Sequence, residues 1–194
     1  MQQVQEIIGQ VRKVVVGKDT VIASILMAML AQGHVLLEDV PGVGKTTMAL
    51  AFSRTMDLSY KRMQFTPDVM PSDITGYTTI QTGGAAGVYV PGAAMCNLFL
   101  ADEINRASSK TQSALLEVME ENSITVDGVT RAVPQPFLVI ATQNPAGSSG
   151  TQPLPESQLD RFMVRLSMGY PDRRSEGEML RRHQNAVSLD SVNR

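Results

Sequence analysis

The residues best suited to chemistry lie in one short run, where two glycines precede a lysine and two threonines. Gly42 and Gly44 allow backbone N–H groups to turn toward an anion without a Cβ in the way. Lys45 can reach the β- and γ-phosphates of a nucleotide, and the hydroxyl of Thr46 can hold Mg²⁺. The pattern predicts a phosphate-binding loop at the start of a helix. Its residues are Pro41, Gly42, Val43, Gly44, Lys45, Thr46 and Thr47.

One position departs from the usual spacing of such a loop. In the pattern G-x-x-x-x-G-K-[ST] the first glycine falls where this chain has Asp39. Aspartate adopts left-handed backbone more readily than most residues, so the turn can form if its carboxylate points away from the phosphates. The alternative interpretation is a chance Pro/Gly turn between a strand and a helix.

Two adjacent carboxylates supply the second part of the predicted site. The apolar stretch that starts at Asn97 ends in Asp102 and Glu103, as a buried strand with acidic residues at its end would. Beside a phosphate-binding loop, Asp102 is expected to hold the Mg²⁺ shell, largely through water. Glu103 is expected to orient and polarise the water that attacks the γ-phosphate. A later apolar strand runs into TQNP at 142–145, and a polar side chain at that strand end is expected within reach of the same phosphate.

The elements that position these residues follow from periodicity and turn signals. Helices are predicted over residues 4–15, 19–30 (with Asp19 as N-cap), 48–56 and 173–183, and another beginning at Ser108 or Ser109. Strands are predicted at 34–38, 60–65, 97–101, 137–141 and 163–167, a hairpin or a flexible surface loop within 75–91, and a β-hairpin within 124–133. Val16 and Gly17 lie at the bend between the first two helices, where they are expected to flank an adenine.

Composition and charge exclude several classes of protein. The 194 residues carry a formal net charge of −2 with a pI near 5.7, which argues against a nucleic-acid-binding tail or an anionic-membrane patch. Cys96 is the single cysteine, so no internal disulfide is available and a reducing compartment is indicated. The longest apolar run, 21–31, is too short to cross a bilayer, and the N-terminus does not resemble a signal peptide. We therefore expect a cytoplasmic protein with no direct membrane insertion and no nucleic-acid partner.

Four blocks of the sequence resemble the MoxR family of AAA+ ATPases. They are RMQFTPD at 62–68, ADEINRA at 101–107, ATQNP at 141–145 and LPESQLDRF at 154–162, and the resemblance extends over nearly the whole chain. It implies an α/β, three-layer P-loop NTPase, the AAA+ core, with a five-stranded parallel sheet between helices. The loop at 75–91 would be the helix-2 insert and the hairpin at 124–133 the pre-sensor insert. Residues 1–170 would form the nucleotide-binding core, and 171–194 the start of a helical lid that is truncated here.

The same resemblance implies functional roles. It implies ATP hydrolysis with Mg²⁺ in a ring, usually of six subunits, and chaperone-like remodelling or maturation of client proteins, with partners that often carry von Willebrand factor A domains. Asn144 matches the sensor-1 position and Arg161 the arginine finger that reaches a neighbouring subunit, with Arg106 as a rival for that role. The alternative interpretation of Arg161 is a surface ion pair with the adjacent Asp160. Two alternatives stay open: a nucleotide-dependent switch with incidental turnover, and a magnesium-chelatase-like or nucleic-acid-motor subunit.

Overall fold

A parallel sheet of five strands organises the fold. The computed structural model describes residues 2–38, 42–80, 87–144, 154–170 and 173–184. Its strands are β1 (His34–Glu38), β2 (Tyr60–Gln64), β3 (Gly76–Ile80), β4 (Gly87–Pro91), β5 (Leu98–Asp102), β6 (Ser123–Val126), β7 (Val129–Ala132), β8 (Leu138–Gln143) and β9 (Phe162–Leu166). The five-stranded sheet has the order β2-β5-β8-β1-β9, with every neighbouring pair parallel. The predicted sheet is confirmed.

Helices connect the strands of this sheet. They are α1 (Gln2–Arg12), α2 (Asp19–Leu30), α3 (Lys45–Thr55), α4 (Pro71–Thr75), α5 (Ser109–Glu121), α6 (Glu156–Leu159) and α7 (Arg173–Gln184), with a 3-10 turn at Ile104–Arg106. No helix within the described ranges is long and apolar enough to cross a membrane.

Two hydrophobic cores lie on opposite faces of the sheet. Successive residues of a strand point to opposite faces, and Val35 and Leu37 accordingly pack with α1, α2 and α3, whereas Leu36 packs with α5. The first four residues of β1 are buried, as expected of a central parallel strand covered on both sides. This two-sided burial gives the three-layer arrangement that the sequence predicted.

Two hairpins form outside the main sheet, the one predicted at 124–133 and one at 75–91, where the sequence indicated either a hairpin or a flexible loop. β3 pairs with β4 and β6 pairs with β7, each in antiparallel register. Asp127 and Gly128 make the second turn with φ of 52° and 74°, the left-handed pair that a tight hairpin favours. The guanidinium of Arg131 lies 4.0 Å from the ring centroid of Tyr89 and so links the two hairpins. The tip of the first hairpin, 81–86, lies outside the described residues.

Several local predictions need correction. Asp19 is the first residue of α2 and Lys18 holds the N-cap position, while the Asp19 carboxylate pairs with Arg12 at 2.7 Å. The helix expected from 48 begins at Lys45, because the left-handed Gly44 ends the loop directly before it. Between the two serines considered as caps, Ser108 accepts a hydrogen bond from the Thr111 N–H at 3.3 Å. The 3-10 turn, α4 and α6 were not predicted, since each is too short for periodicity to indicate it.

Candidate nucleotide site

The phosphate-binding loop and the two acidic residues line one cavity. Carboxyl ends of parallel strands meet at one edge of a sheet, and here β1, β2 and β5 lead into the cavity's walls. The volume is about 380 Å³, and the lining residues are Gly42, Gly44, Lys45, Thr46, Arg62, Gln64, Asp102 and Glu103. Val43 and Thr47 lie in the same loop and helix start, whereas Asp39 and Pro41 fall outside the described residues.

The loop backbone is shaped for close approach by a ligand. Gly42 and Gly44 have φ of 89° and 95°, which side chains rarely permit, and a Cβ at either would meet nothing within 4 Å. Open space therefore adjoins the backbone of both glycines. Lys45 and Thr46 occupy the first turn of α3, where the backbone N–H groups point out of the helix and the helix dipole favours an anion.

A buried threonine fixes the two acids relative to each other. The Thr142 hydroxyl donates to Asp102 Oδ1 at 2.6 Å and accepts from the Glu103 backbone N–H at 2.8 Å. Thr142 has no exposed surface, so its hydroxyl has a defined position behind the acids. Glu103 has left-handed φ and ψ of 56° and 46°. The sequence indicated a polar side chain at the end of this strand but did not identify Thr142 as the residue that holds both acids, because that contact depends on the order of the strands.

Both acids also pair with arginines of their own chain. Arg62 Nη2 lies 2.7 Å from Asp102 Oδ2, and this hydrogen bond is the main cause that raises the Arg62 pKa. Arg106 Nη1 lies 2.9 Å from Glu103 Oε2, one turn further along the chain. Arg106, the rival finger, thus contacts the acid of its own subunit. Arg62 was also missed; its signal is a cation two residues before the end of a strand.

Asn144 lies at the carboxyl end of the strand that carries Thr142. Its backbone oxygen accepts from Asn105 Nδ2 at 3.2 Å, and its side-chain Oδ1 is buried without a hydrogen-bond partner. A buried amide oxygen without a partner is costly unless a ligand or water satisfies it. The amide of Asn144 is therefore available to bind a polar group at this edge of the sheet.

Arg161 lies elsewhere. Its guanidinium pairs with Glu120 of α5 at 2.8 Å, and both side chains are substantially exposed. It lines a second cavity of about 300 Å³ against α5, rather than the cavity of the phosphate-binding loop. The partner weighed for a surface ion pair was Asp160, and this interpretation was wrong, because packing of the turn before β9 against α5 brings Glu120 to the guanidinium.

Val16 and Gly17 line a third cavity of about 250 Å³ together with residues of α7. A Cβ on Gly17 would lie 2.2 Å from Ser175 Oγ, so α7 packs directly on this bend. The buried Lys18 ammonium donates to the backbone oxygens of Met168 and Gly169, the latter at 2.9 Å. The structure therefore brings the bend to the segment that leads into α7, and not into the phosphate cavity.

The residues of the phosphate cavity fit a magnesium nucleotide. Positive-φ glycines beside open space, the N-terminus of α3 and the Lys45 ammonium suit phosphate oxygens. A hydroxyl on Thr46 and a carboxylate on Asp102 are the hard oxygen ligands that Mg²⁺ prefers. Among the residues that the structure describes, no cluster of three or more His, Cys, Asp or Glu side chains offers a cage for a metal alone. This donor set suits a cation that arrives with phosphates.

Comparison with known proteins identifies one matching family and several similar proteins. Residues 34–164 match the model of the ATPase family associated with various cellular activities (AAA). The chain is 50% identical to YeaC of Bacillus subtilis, described as uncharacterized, over 95% of this chain and 58% of the relative. It is 45% identical to Chaperone MoxR1 of Mycobacterium tuberculosis, over 90% of this chain and 46% of the relative.

A solved structure shows the same fold. A Cytophaga hutchinsonii protein, provisionally described as an ATPase, superposes with a TM-score of 0.87 at 42% identity, covering 100% of this chain and 58% of that one. The chain thus spans about half of the length of the relatives it matches. The family match, the relatives' names and the five-stranded parallel sheet together show that the chain belongs to the MoxR family of AAA+ ATPases.

Proposed function

We propose that this chain binds ATP with Mg²⁺ and hydrolyses it to ADP and phosphate. The observation that carries the proposal is the hydrogen-bonded set of Asp102, Thr142 and Glu103, which meets the phosphate-binding loop in one cavity. A buried hydroxyl that holds one carboxylate and the backbone of the next residue fixes the geometry that a metal ligand and a base need.

Each residue of the cavity has a distinct task in this proposal. Backbone N–H groups at Gly42 and Gly44, with the Lys45 ammonium, bind and orient the β- and γ-phosphates. Thr46 and Asp102 would hold Mg²⁺, which when bound supplies positive charge beside those phosphates.

Glu103 is the proposed general base. Its carboxylate takes a proton from water, the water oxygen bonds to the γ-phosphorus, and the bond to the β–γ bridging oxygen breaks, so that ADP and phosphate result. Asn144 would hold the attacking water or a γ-phosphate oxygen through its amide, a role supported by its buried Oδ1 without a partner.

Two further parts of the chain are assigned to the nucleotide and to a neighbouring subunit. Val16 and Gly17 would flank the adenine, supported by the cavity that they line with α7. Arg161 would act on the nucleotide of an adjacent subunit in a ring, usually of six, supported by its exposed position away from its own phosphate cavity. Residues 1–170 would then be the core and 171–194 the start of the lid.

The biological role proposed is chaperone-like remodelling or maturation of client proteins, some with von Willebrand factor A domains. The name of the Mycobacterium relative, Chaperone MoxR1, supports this class of role.

The test of the nucleotide site is Lys45→Ala with Lys61→Ala as the matched control. Lys61 lies in β2 and its ammonium donates to the Gly92 backbone oxygen at 2.8 Å, so its loss leaves the loop intact. We expect binding of a fluorescent ATP analogue and phosphate release to be lost in Lys45→Ala and kept in Lys61→Ala. Equal affinity of Lys45→Ala and wild type for the analogue would exclude the loop as the nucleotide site.

A further inference from the structure

The phosphate cavity contains a guanidinium in addition to the lysine of the loop. Arg62 lies in β2, the edge strand of the sheet, two residues before Gln64, which stands opposite Asp102 in register. The Arg62 Nη2 donates to Asp102 Oδ2 at 2.7 Å and to Gln64 Oε1 at 3.1 Å. The two residues of β2 thus form one wall of the cavity, with a positive charge placed on the proposed metal-binding carboxylate.

Both oxygens of that carboxylate have partners. Asp102 Oδ1 accepts from the Thr142 hydroxyl at 2.6 Å, and Oδ2 accepts from Arg62. Thr142 is fully buried and also holds the Glu103 backbone, so its hydrogen bond to Oδ1 cannot be exchanged without disturbing the strand ends. The Arg62 side chain is 43% exposed, whereas that of Asp102 is 14% exposed. Arg62 is therefore the partner that can leave.

We propose that Arg62 is an exchangeable partner of Asp102, and that a hydrated divalent cation replaces it at Oδ2 while its guanidinium moves to the phosphates of the nucleotide. The movement of the guanidinium to the phosphates rests on the proposed function. The replacement of Arg62 by a cation at Asp102 depends only on these two residues. A guanidinium matches phosphate oxygens as well as it matches a carboxylate, so the move conserves charge-assisted hydrogen bonds.

The charges explain why the exchange requires both metal and phosphates. Among the described residues that line the cavity, Glu103 is the only carboxylate besides Asp102, and it is already paired with Arg106. A cation alone must therefore displace the Arg62 guanidinium without offering it another of these carboxylates. A triphosphate provides the guanidinium with another anion, and the cation then takes Oδ2. Arg62 thus opposes binding of metal alone and supports binding of nucleotide, which are effects of opposite sign from one side chain.

The test compares Arg62→Gln with Lys61→Gln, which removes the same charge from the neighbouring residue of the same strand. Mn²⁺ affinity is measured by electron paramagnetic resonance on protein without nucleotide, and affinity for a fluorescent ADP analogue is measured in EDTA. For Arg62→Gln we expect Mn²⁺ to bind tighter, and the metal-free analogue weaker, each by about fivefold, the scale of a half-exposed ion pair. Lys61→Gln should change neither affinity, and Arg62→Lys should lie between Arg62→Gln and wild type.

The opposite signs separate exchange from a structural role. Weaker binding of both ligands by Arg62→Gln would mean that Arg62 only supports the fold, and this outcome overturns the proposal, as does unchanged Mn²⁺ affinity. Failure of the wild type to bind the ADP analogue would overturn the proposed function and the phosphate half, and the Mn²⁺ measurement would still decide the competition at Asp102.

Discussion

Thr142 and Asp102 are joined by a hydrogen bond of 2.6 Å between two neighbouring strands, with the hydroxyl as donor to Oδ1. The same hydroxyl accepts from the Glu103 N–H at 2.8 Å. Because one oxygen serves both acids, Thr142 sets their separation from behind the residues that line the cavity. It is a positioning residue, and its removal should affect turnover more than binding.

Thr142→Val replaces the hydroxyl by a methyl group of similar size. We expect kcat to fall about 10- to 100-fold, the cost of leaving buried groups unpaired, with a much smaller change in KM for ATP. Thr142→Ser keeps the hydroxyl and should restore kcat. Steady-state phosphate release at several ATP concentrations measures both constants. A valine variant with wild-type kcat would show that the acids hold their positions unaided.

Glu103→Gln removes the proposed base while keeping its size. ATP binding should persist, and hydrolysis should fall by roughly two to four orders of magnitude, because no carboxylate remains to accept the proton. Glu117→Gln, at an exposed position of α5, is the control and should retain wild-type turnover. Equilibrium binding and single-turnover hydrolysis distinguish the two effects, and undiminished hydrolysis would assign the base to another group.

Arg161→Ala tests the finger in protein that includes the lid residues. We expect assembled subunits to lose about a thousandfold in turnover, the scale of an arginine supplied from a neighbouring subunit. Mixing this variant with Lys45→Ala should partly restore activity, since some interfaces then combine an intact loop with an intact finger.

Glu120→Ala is the control for that experiment, because it breaks the ion pair with Arg161 and leaves the guanidinium in place. It should retain turnover. If Glu120→Ala loses as much turnover as Arg161→Ala, the role of Arg161 is limited to its surface ion pair with Glu120. If rings of Arg161→Ala hydrolyse ATP at the wild-type rate, Arg106 is the better candidate for the arginine finger.

The buried environment of His34 predicts that the free energy of unfolding depends on pH. Its Nδ1 accepts from the Val139 N–H at 3.0 Å, so Nε2 donates to the Met119 oxygen at 3.1 Å and the ring is held neutral. Burial lowers the His34 pKa below its usual 6.5. The unfolded chain therefore takes up a proton near pH 6.5 that the folded chain does not.

The free energy of unfolding should fall as pH drops below 6.5, with a contribution from this residue of at most about 1.4 kcal/mol per pH unit. Denaturant titrations between pH 5 and 8 measure it, and His34→Gln should show a shallower slope in that window. Identical slopes for the variant and the wild type would contradict the assignment, since carboxylates elsewhere contribute equally to both.

The strands of the sheet and the hairpin at 124–133 could be predicted because their signals are local, whereas the glycine-rich stretch at 75–91 was equally compatible with a hairpin and a flexible loop. Apolar runs mark β1, β5 and β8, and the Asp127-Gly128 pair marks its turn. The contacts of the cavity could not be predicted in this way. Arg62 and Thr142 are far apart in sequence and meet at Asp102 because β5 lies between β2 and β8 in the sheet.

A similar reason explains the corrected ion pair. Adjacency in sequence suggested Asp160 as the partner of Arg161, and packing against α5 selects Glu120 instead. The sequence pattern of an apolar run that ends in two acids indicated Asp102 and Glu103 as a pair. It gave no information about the side chains that hold them, because those contacts depend on strand order.

The contact between Gly17 and Ser175 has an evolutionary consequence. A Cβ at position 17 would lie 2.8 Å from the Ser175 Cβ, and that carbon cannot rotate away as a hydroxyl can. Any side chain gained at 17 must shift the first turn of α7, and its positive φ of 70° adds backbone strain. As long as α7 keeps its position, glycine should therefore be the only residue accepted at position 17. A lineage that loses this glycine must also reposition the helix.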